Sequence, residues 1–262
     1  MNVLDAIILG AIQGLTEFLP VSSSGHLVLG QFFLGIKQPG NEFEVLVHLG
    51  TLFSVLIIFY SDIKSIILNI SDKETQRFLL FLFIGTLPAV LIGFEFKDFM
   101  ENLFENPKAV SGALLFTGII LIISIFSKKN TGNRTYLQGF VIGCAQAISI
   151  IPGISRSGMT ICTALFLGLS PSEAARVSFL LAIPTISGAG LLTAFDIQTN
   201  SSLPIDVVIG GFLSSFVIGL LSLNWFLGWL EKGKLHWFGF YCFILGTLTL
   251  ICLLYTSDAA DE

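Results

Sequence analysis

Apolar runs long enough, or nearly long enough, to cross a bilayer recur six times in this sequence, at 43–60, 78–94, 109–126, 176–195, 206–230 and 237–251. A membrane-crossing helix needs about 20 mostly apolar residues. Composition agrees: the 262 residues are 53% hydrophobic and 12% charged, whereas a soluble domain carries about 25% charged residues. The chain reads as an all-α polytopic membrane protein. Its formal charge of −5 argues against a nucleic-acid-binding surface. Four Cys without paired spacing argue against a disulfide scaffold or a zinc site, and three His leave no His-rich metal cage. No basic region precedes the first apolar stretch, so no cleavable leader is expected.

Residues 252–262, Cys-Leu-Leu-Tyr-Thr-Ser-Asp-Ala-Ala-Asp-Glu, read codon by codon as the translation of a sequencing-library transposon adapter. They are set apart from the fold. A single domain is expected over 1–251, with its native end cut short within the last helix.

Two further apolar stretches, 3–35 and 137–170, are interrupted by Pro, Gly and Ser clusters at Leu19–Gly25 and Ile151–Gly158. Proline removes a helix hydrogen bond and clashes with the preceding turn. Broken backbone at membrane depth is tolerated only inside protein or along a wet cavity. Both stretches are therefore expected to be re-entrant helix–loop–helix hairpins. They also resemble each other: Gly10-Ala-Ile-Gln13 matches Gly143-Cys-Ala-Gln146, and Val21-Ser-Ser-Ser-Gly25 matches Ile154-Ser-Arg-Ser-Gly158, at a constant offset of 133. Three spans between the copies would invert the second relative to the first. The expected architecture is six transmembrane helices plus two re-entrant hairpins in an inverted-topology repeat, with halves of about 1–130 and 131–251. Orientation follows from Lys and Arg. Lys64, Lys73, Arg77, Lys128, Lys129, Arg134, Arg176, Lys232 and Lys234 fall on one side, and Lys37, Lys97 and Lys108 on the other. The richer side should be cytoplasmic, so the first hairpin enters from the outer face.

The polar residues of this apolar chain concentrate in the two interruptions. Gln13 and Glu17 share a helix face at i, i+4. A carboxylate inside a membrane segment marks a site by default. Pro20 then breaks the helix, and Ser22, Ser23, Ser24 and His26 follow. As a purely structural alternative, the serines cap a helix end at the interface. In the second string, Ser155, Arg156, Ser157 and Thr160 open a new helix. Its N-terminus and a guanidinium suit phosphate oxygens. Arg156 has no acid near it in sequence, so it either waits for an anion or pairs with Glu17. The two readings are compatible in the unliganded state. Together the hairpins supply an anion clamp, a carboxylate, a candidate nucleophile and a base, a set suited to phosphoryl transfer. Glu17 and Gln13 also suit a hard divalent cation, Mg²⁺ or Ca²⁺. Glu44 and His48, at i and i+4 in the run 43–60, either face this site or satisfy one another.

These motifs resemble the bacterial undecaprenyl-diphosphate phosphatases of the bacitracin-resistance type. The family's (Glu/Gln)-x-x-x-Glu is Gln13 to Glu17, its Pro-x-Ser-Ser-(Ser/Thr)-Gly-His stretch is Pro20 to His26, and its Pro-Gly-x-Ser-Arg-Ser-Gly-x-Thr string is Pro152 to Thr160. The resemblance extends to Phe43-Glu-Val and the span pattern over 1–251. Gln13 stands where the best-known members carry Glu. The resemblance implies hydrolysis of undecaprenyl diphosphate in the bacterial inner membrane, with the site open to the outer side. It would recycle the lipid carrier for peptidoglycan synthesis, and abundant enzyme would confer bacitracin resistance. Carried onto these positions, Arg156 with the Ser155–Ser157 turn is the diphosphate clamp. Glu17 binds metal or orients the attacking group, supported by Gln13. Ser22, Ser24 and Thr160 line the substrate, and Ser23 is the nucleophile with His26 as its base. Direct attack by His26 or by water stays open, and so does assembly state, a homo-oligomer included. The rival class is a flippase of undecaprenyl phosphate, which would not require the Ser/His/Glu cluster.

Overall fold

A computed structural model describes residues 1–36, 42–96, 103, 106–127, 134–196 and 203–258. Lys37, Lys97, Lys128 and Lys129 of the orientation count, and residues 259–262 of the C-terminal string, lie outside the described residues. The described chain is all-helical: α1 (Val3–Thr16), α2 (Ser23–Leu34), α3 (Glu42–Ile58), α4 (Tyr60–Leu68), α5 (Lys73–Glu95), α6 (Pro107–Ile123), α7 (Tyr136–Ile148), α8 (Arg156–Phe166), α9 (Pro171–Asp196), α10 (Ile205–Leu230) and α11 (His236–Asp258).

Local chemistry starts and stops these helices. Asn2 and Asp5 form a reciprocal capping box on α1, and Thr135 and Gln138 form one on α7. Asn106 caps α6, whose first residue is Pro107, a position where the missing N–H costs nothing. α1 ends just before the Pro20 break, and α7 ends just before Pro152. Pro88 and Pro184 lie inside α5 and α9 without ending them.

Five helices are long and apolar enough to cross a membrane: α5, α6 with its 3-10 extension to Phe126, α9, α10 and α11. The remaining run, 43–60, is not straight. α3 and α4 meet at a 67° bend, and the chain reaches six spans only when this bent pair is counted as one. At the bend Phe59 leaves helical geometry and is buried against Phe179, with ring centroids 5.8 Å apart. Hydropathy alone carries no sign of this bend.

Outward faces are apolar. Leu213, Val217 and Leu221 of α10 recur every fourth residue and are exposed, as are Phe240, Ile244 and Leu248 of α11. Inward faces are small. Gly211, Ser215 and Gly219 of α10 lie against Gly10 and Gly14 of α1, and a Cβ on Gly10 would sit 2.5 Å from the Gly211 carbonyl oxygen. Ser214 and Ser222 donate across this seam to the carbonyls of Ile7 and Leu15, both at 2.8 Å. Small residues and interhelical hydrogen bonds are what hold helices together where lipid is as apolar as the side chains. The α5–α7 pair repeats the arrangement: a Cβ on Gly143 would sit 2.5 Å from the Gly85 carbonyl oxygen. Gly10 and Gly143 are the two glycines matched at the offset of 133. Each lies on a helix that ends just before a Pro-containing turn, and each meets a glycine of a long helix.

The Gly143–Gly85 crossing should tolerate no added atom. Gly143→Ala is expected to destabilise the protein by about 1–3 kcal/mol through overpacking. Gly112→Ala, where nothing lies within 4 Å of the new Cβ, should stay within about 0.5 kcal/mol. Thermal unfolding in detergent compares the two.

Candidate active site

The two interruptions meet through their turns. After α1, Glu17 still donates its N–H to the Gln13 carbonyl at 2.9 Å. Phe18 is fully buried and packs edge-on against Phe179, anchoring the turn beside Glu17. Ser22 then takes φ 68°, a left-handed conformation unusual outside glycine. That strained geometry delivers its hydroxyl to two backbone donors. Ser22 Oγ accepts from Gly25 N–H at 3.3 Å and from Gly153 N–H of the other turn at 3.1 Å. In return Ser157 Oγ donates to the Leu19 carbonyl at 3.2 Å. Gly153 has φ 94°, and a Cβ there would meet the Val110 carbonyl oxygen at 2.5 Å, so only glycine fits.

The local bonding of the two turns is the same. Ser22 caps Gly25 and reaches Ser24 Oγ at 3.2 Å; Ser155 caps Gly158 at 3.1 Å and reaches Ser157 Oγ at 3.2 Å. A Cβ on Gly25 would approach Gly153 at 3.0 Å, and one on Gly158 would approach Pro20 at 3.3 Å. The two contacts are counterparts, since Gly25 matches Gly158 and Pro20 matches Gly153 at the offset of 133.

Glu17 is the hub of the polar centre. Its Oε1 accepts from Arg156 Nη2 at 2.5 Å. Its Oε2 accepts from Ser23 Oγ at 2.5 Å and from Gln13 Nε2 at 3.0 Å. The carboxylate is 6% exposed and the guanidinium 16%. Arg156 therefore stands on the C-terminal side of one break and Glu17 on the N-terminal side of the other, and they form a largely buried ion pair. Arg156 Nη1 also reaches the Ser178 carbonyl at 3.5 Å. Gln13 Oε1 is buried with no partner among the described residues.

The structure thus brings Gln13, Glu17, Ser23 and Arg156 into contact and gives the remaining sequence candidates other partners. The Ser23 hydroxyl turns to Glu17, whereas His26 was expected to be its base. Instead His26 Nδ1 faces the Ser22 carbonyl at 2.8 Å, and Nε2 faces Tyr241 Oη at 2.7 Å. Thr160 is fully buried; its hydroxyl donates to the Arg156 carbonyl at 2.8 Å and pairs with Ser178 Oγ at 2.7 Å. Ser22, Ser24, Ser155 and Ser157 shape the two turns as described.

Three further residues join the site. His48, which the sequence leaves between two roles, presents Nε2 to Glu17 Oε2 at 3.6 Å while Nδ1 donates to the Glu44 carbonyl at 2.7 Å. The Glu44 carboxylate accepts from Gln31 at 3.4 Å. Thr117 of α6 donates to the Gly153 carbonyl at 2.9 Å and accepts from Ser155 N–H at 3.1 Å, pinning the second turn. Tyr241 of α11 is the third. Thr117 and Tyr241 lie among apolar residues with no motif around them, so only proximity in space reveals them. Glu173 and Arg176 belong elsewhere, in a cluster with Arg134 and Asp62 around Phe78.

Chemically, this centre can hold an anion on Arg156 and withdraw a proton from Ser23 through Glu17. For a divalent cation it offers oxygen donors, the Glu17 carboxylate and the unpartnered Gln13 amide oxygen. The described residues contain no group of three or more His, Cys, Asp and Glu side chains arranged to hold a metal on their own. The pair fits a hard cation shared with phosphate oxygens of a ligand.

The family model for bacitracin resistance protein BacA matches residues 6–248. The chain is 44% identical to the undecaprenyl-diphosphatase of Carboxydothermus hydrogenoformans, over 96% of this chain and 97% of that one. It is 41% identical to undecaprenyl-diphosphatase 1 of Bacillus cereus, over 96% and 98%. It is 42% identical to the undecaprenyl-diphosphatase of Syntrophotalea carbinolica, over 94% and 97%.

The Glu17–Arg156 pair is testable without any ligand. Arg156→Gln should cost about 3–5 kcal/mol by leaving a buried charge uncompensated. The Glu17→Gln/Arg156→Gln double variant should unfold at a higher temperature than Arg156→Gln alone, because it removes both charges.

Proposed function

The chain belongs to the bacitracin resistance protein BacA family, and on that premise we propose that it hydrolyses undecaprenyl diphosphate to undecaprenyl phosphate and inorganic phosphate. It is a membrane-embedded phosphatase. Its product is the lipid carrier of cell-wall synthesis, and its abundance counters bacitracin by consuming the diphosphate that the antibiotic sequesters. The observation that carries the reading is the contact of Glu17 with both Ser23 and Arg156 at one buried point between two broken helices.

In the mechanism we favour, the diphosphate draws Arg156 away from Glu17. A guanidinium offers phosphate the same planar fork that it offers carboxylate, and the diphosphate carries more charge. The N-termini of α2 and α8 add oriented backbone dipoles. Glu17 Oε2, already bonded to the Ser23 hydroxyl, takes the Ser23 proton. Ser23 Oγ attacks the terminal phosphorus, the bond from that phosphorus to the bridging oxygen breaks, and undecaprenyl phosphate departs with the bridging oxygen. Water then attacks the phosphoserine. The phosphorus–Oγ bond breaks, Glu17 returns its proton to Ser23 and takes up the second proton of the water, which it releases to solvent, and inorganic phosphate leaves carrying the hydroxyl from water. His26 shapes the Ser22–His26 turn from its partners Ser22 and Tyr241. Glu17 and Gln13 would hold Mg²⁺ or Ca²⁺ together with the substrate. When bound, the cation would neutralise charge on the diphosphate.

We further infer six membrane spans, with α3 and α4 forming one, and two re-entrant hairpins, α1–α2 and α7–α8, related as an inverted repeat. The matched crossings Gly10–Gly211 and Gly143–Gly85 support this, as do the reciprocal contacts Gly25–Gly153 and Gly158–Pro20. The Lys and Arg asymmetry supports a bacterial inner-membrane protein with the active site facing the outer side.

Purified protein in detergent should release phosphate from undecaprenyl diphosphate; a flippase would release none without a bilayer. Glu17→Ala, His26→Ala and Arg156→Ala should each lose most of that release, with Arg156→Ala lowering kcat/KM by roughly 10²–10³-fold. Trapping the phosphoenzyme at early times should label Ser23; a label on His26 would overturn the assignment of the nucleophile.

A further inference from the structure

His26 stands at the start of α2, and both its ring nitrogens are engaged. Nδ1 lies 2.8 Å from the Ser22 carbonyl oxygen. A carbonyl only accepts, so Nδ1 carries the hydrogen. In the neutral ring Nε2 must then be the acceptor, and the atom facing it at 2.7 Å is the hydroxyl of Tyr241. The two ring planes are nearly parallel, 9° apart, with centroids separated by 5.7 Å. Tyr241 comes from α11, the last helix, 215 residues away. Its neighbour Cys242 is fully buried and places Sγ 3.9 Å from the Pro20 carbonyl oxygen. Two successive residues of α11 therefore grip the two ends of the turn that carries Ser22 and Ser23.

We propose that Tyr241 is a positioning residue for the hydrolysis reaction: its hydroxyl donates to His26 Nε2, fixes the Nδ1–H tautomer and holds the Ser22–His26 turn so that Ser23 points at Glu17. This inference rests on the phosphatase reading above. The choice of tyrosine over phenylalanine follows from the chemistry. A phenolic oxygen can donate to neutral His26, and it can accept from the ring if His26 gains a proton, so the ring is held in either charge state. With Tyr241 in place neither nitrogen of His26 has a free lone pair, which leaves the attack to Ser23. Tyr241 is 46% exposed on a helix whose other outward residues include Phe240, Phe243, Ile244 and Leu248. A hydroxyl in such apolar surroundings needs a partner, and His26 is the one it has in the structure.

The test uses Tyr241→Phe in the full-length protein in detergent, which deletes one oxygen and keeps the ring. Phosphate release from undecaprenyl diphosphate should show kcat lowered about three- to ten-fold, the size of one neutral hydrogen bond, with KM little changed. In protein labelled with ¹⁵N-histidine, the His26 signals, identified by their loss in His26→Ala, should report a protonated Nδ1 and a hydrogen-bonded, unprotonated Nε2. Tyr241→Phe should shift the Nε2 signal. A normal kcat in Tyr241→Phe overturns the proposal whatever the spectrum shows. A lowered kcat with unchanged His26 signals overturns it too, because the effect would not run through His26. Failure of the wild-type protein to release phosphate would instead overturn the phosphatase reading, while the spectrum would still report the Tyr241–His26 bond.

Discussion

A single buried carboxylate organises the centre of this protein. Glu17 sits where α1 has just ended, at a depth where an uncompensated charge is untenable, and its compensation comes from Arg156, 139 residues later. Both groups sit beside helix breaks, so the pair can form only when the two broken helices meet turn to turn. The neutral contacts around it repeat that requirement: Ser22 accepts from Gly153, Ser157 donates to Leu19, and Thr117 clasps Gly153 and Ser155 from α6. Charge pairing thus sets which segments meet, and hydrogen bonds set their register.

The matched strings diverge where chemistry is needed. At the offset of 133, Gln13 matches Gln146, but Glu17 faces Ile150, Ser23 faces Arg156 and His26 faces Met159. One turn carries the acid, the hydroxyl and the imidazole; the other carries the cation. The scaffold residues, Ser22 with Ser155, Ser24 with Ser157 and Gly25 with Gly158, stay alike because each copy must cap its own helix and admit the other turn at close approach. Among the described residues, Gln146 Oε1, like Gln13 Oε1, is buried without a partner. Turns that repeat and a chemistry that does not give one polar centre from two similar strings.

Much of this was legible in residue order. Pro20 and Pro152, each within an apolar stretch, announce the breaks. A carboxylate and an arginine at those breaks announce charges that must find each other or a ligand. Other contacts were not legible. Ser23 was expected to meet His26, three residues on, yet its hydroxyl turns to Glu17. Residue identity does not specify that direction. His48 was balanced between Glu44 and the site until the fold presented its Nε2 to Glu17. Nothing in the residue order sets Tyr241 apart from the other aromatic residues of its apolar helix.

What the sequence alone determined is what depends on local composition and spacing: a membrane-embedded helical chain, two interrupted helices of common pattern, and the residue types of a phosphoryl-transfer centre. Family motifs add the substrate, because they are long and tolerate few alternatives. What only the tertiary structure decided is which atoms face which: Ser23 on Glu17, both nitrogens of His26 engaged, Thr160 turned to Ser178, and the bend at Phe59 that departs from a straight span. Hydrogen bonds act over about 3 Å, and partners such as Tyr241 and Thr117 lie far from the motifs in sequence. Only packing of the helices, through glycine and serine seams, brings them within that range.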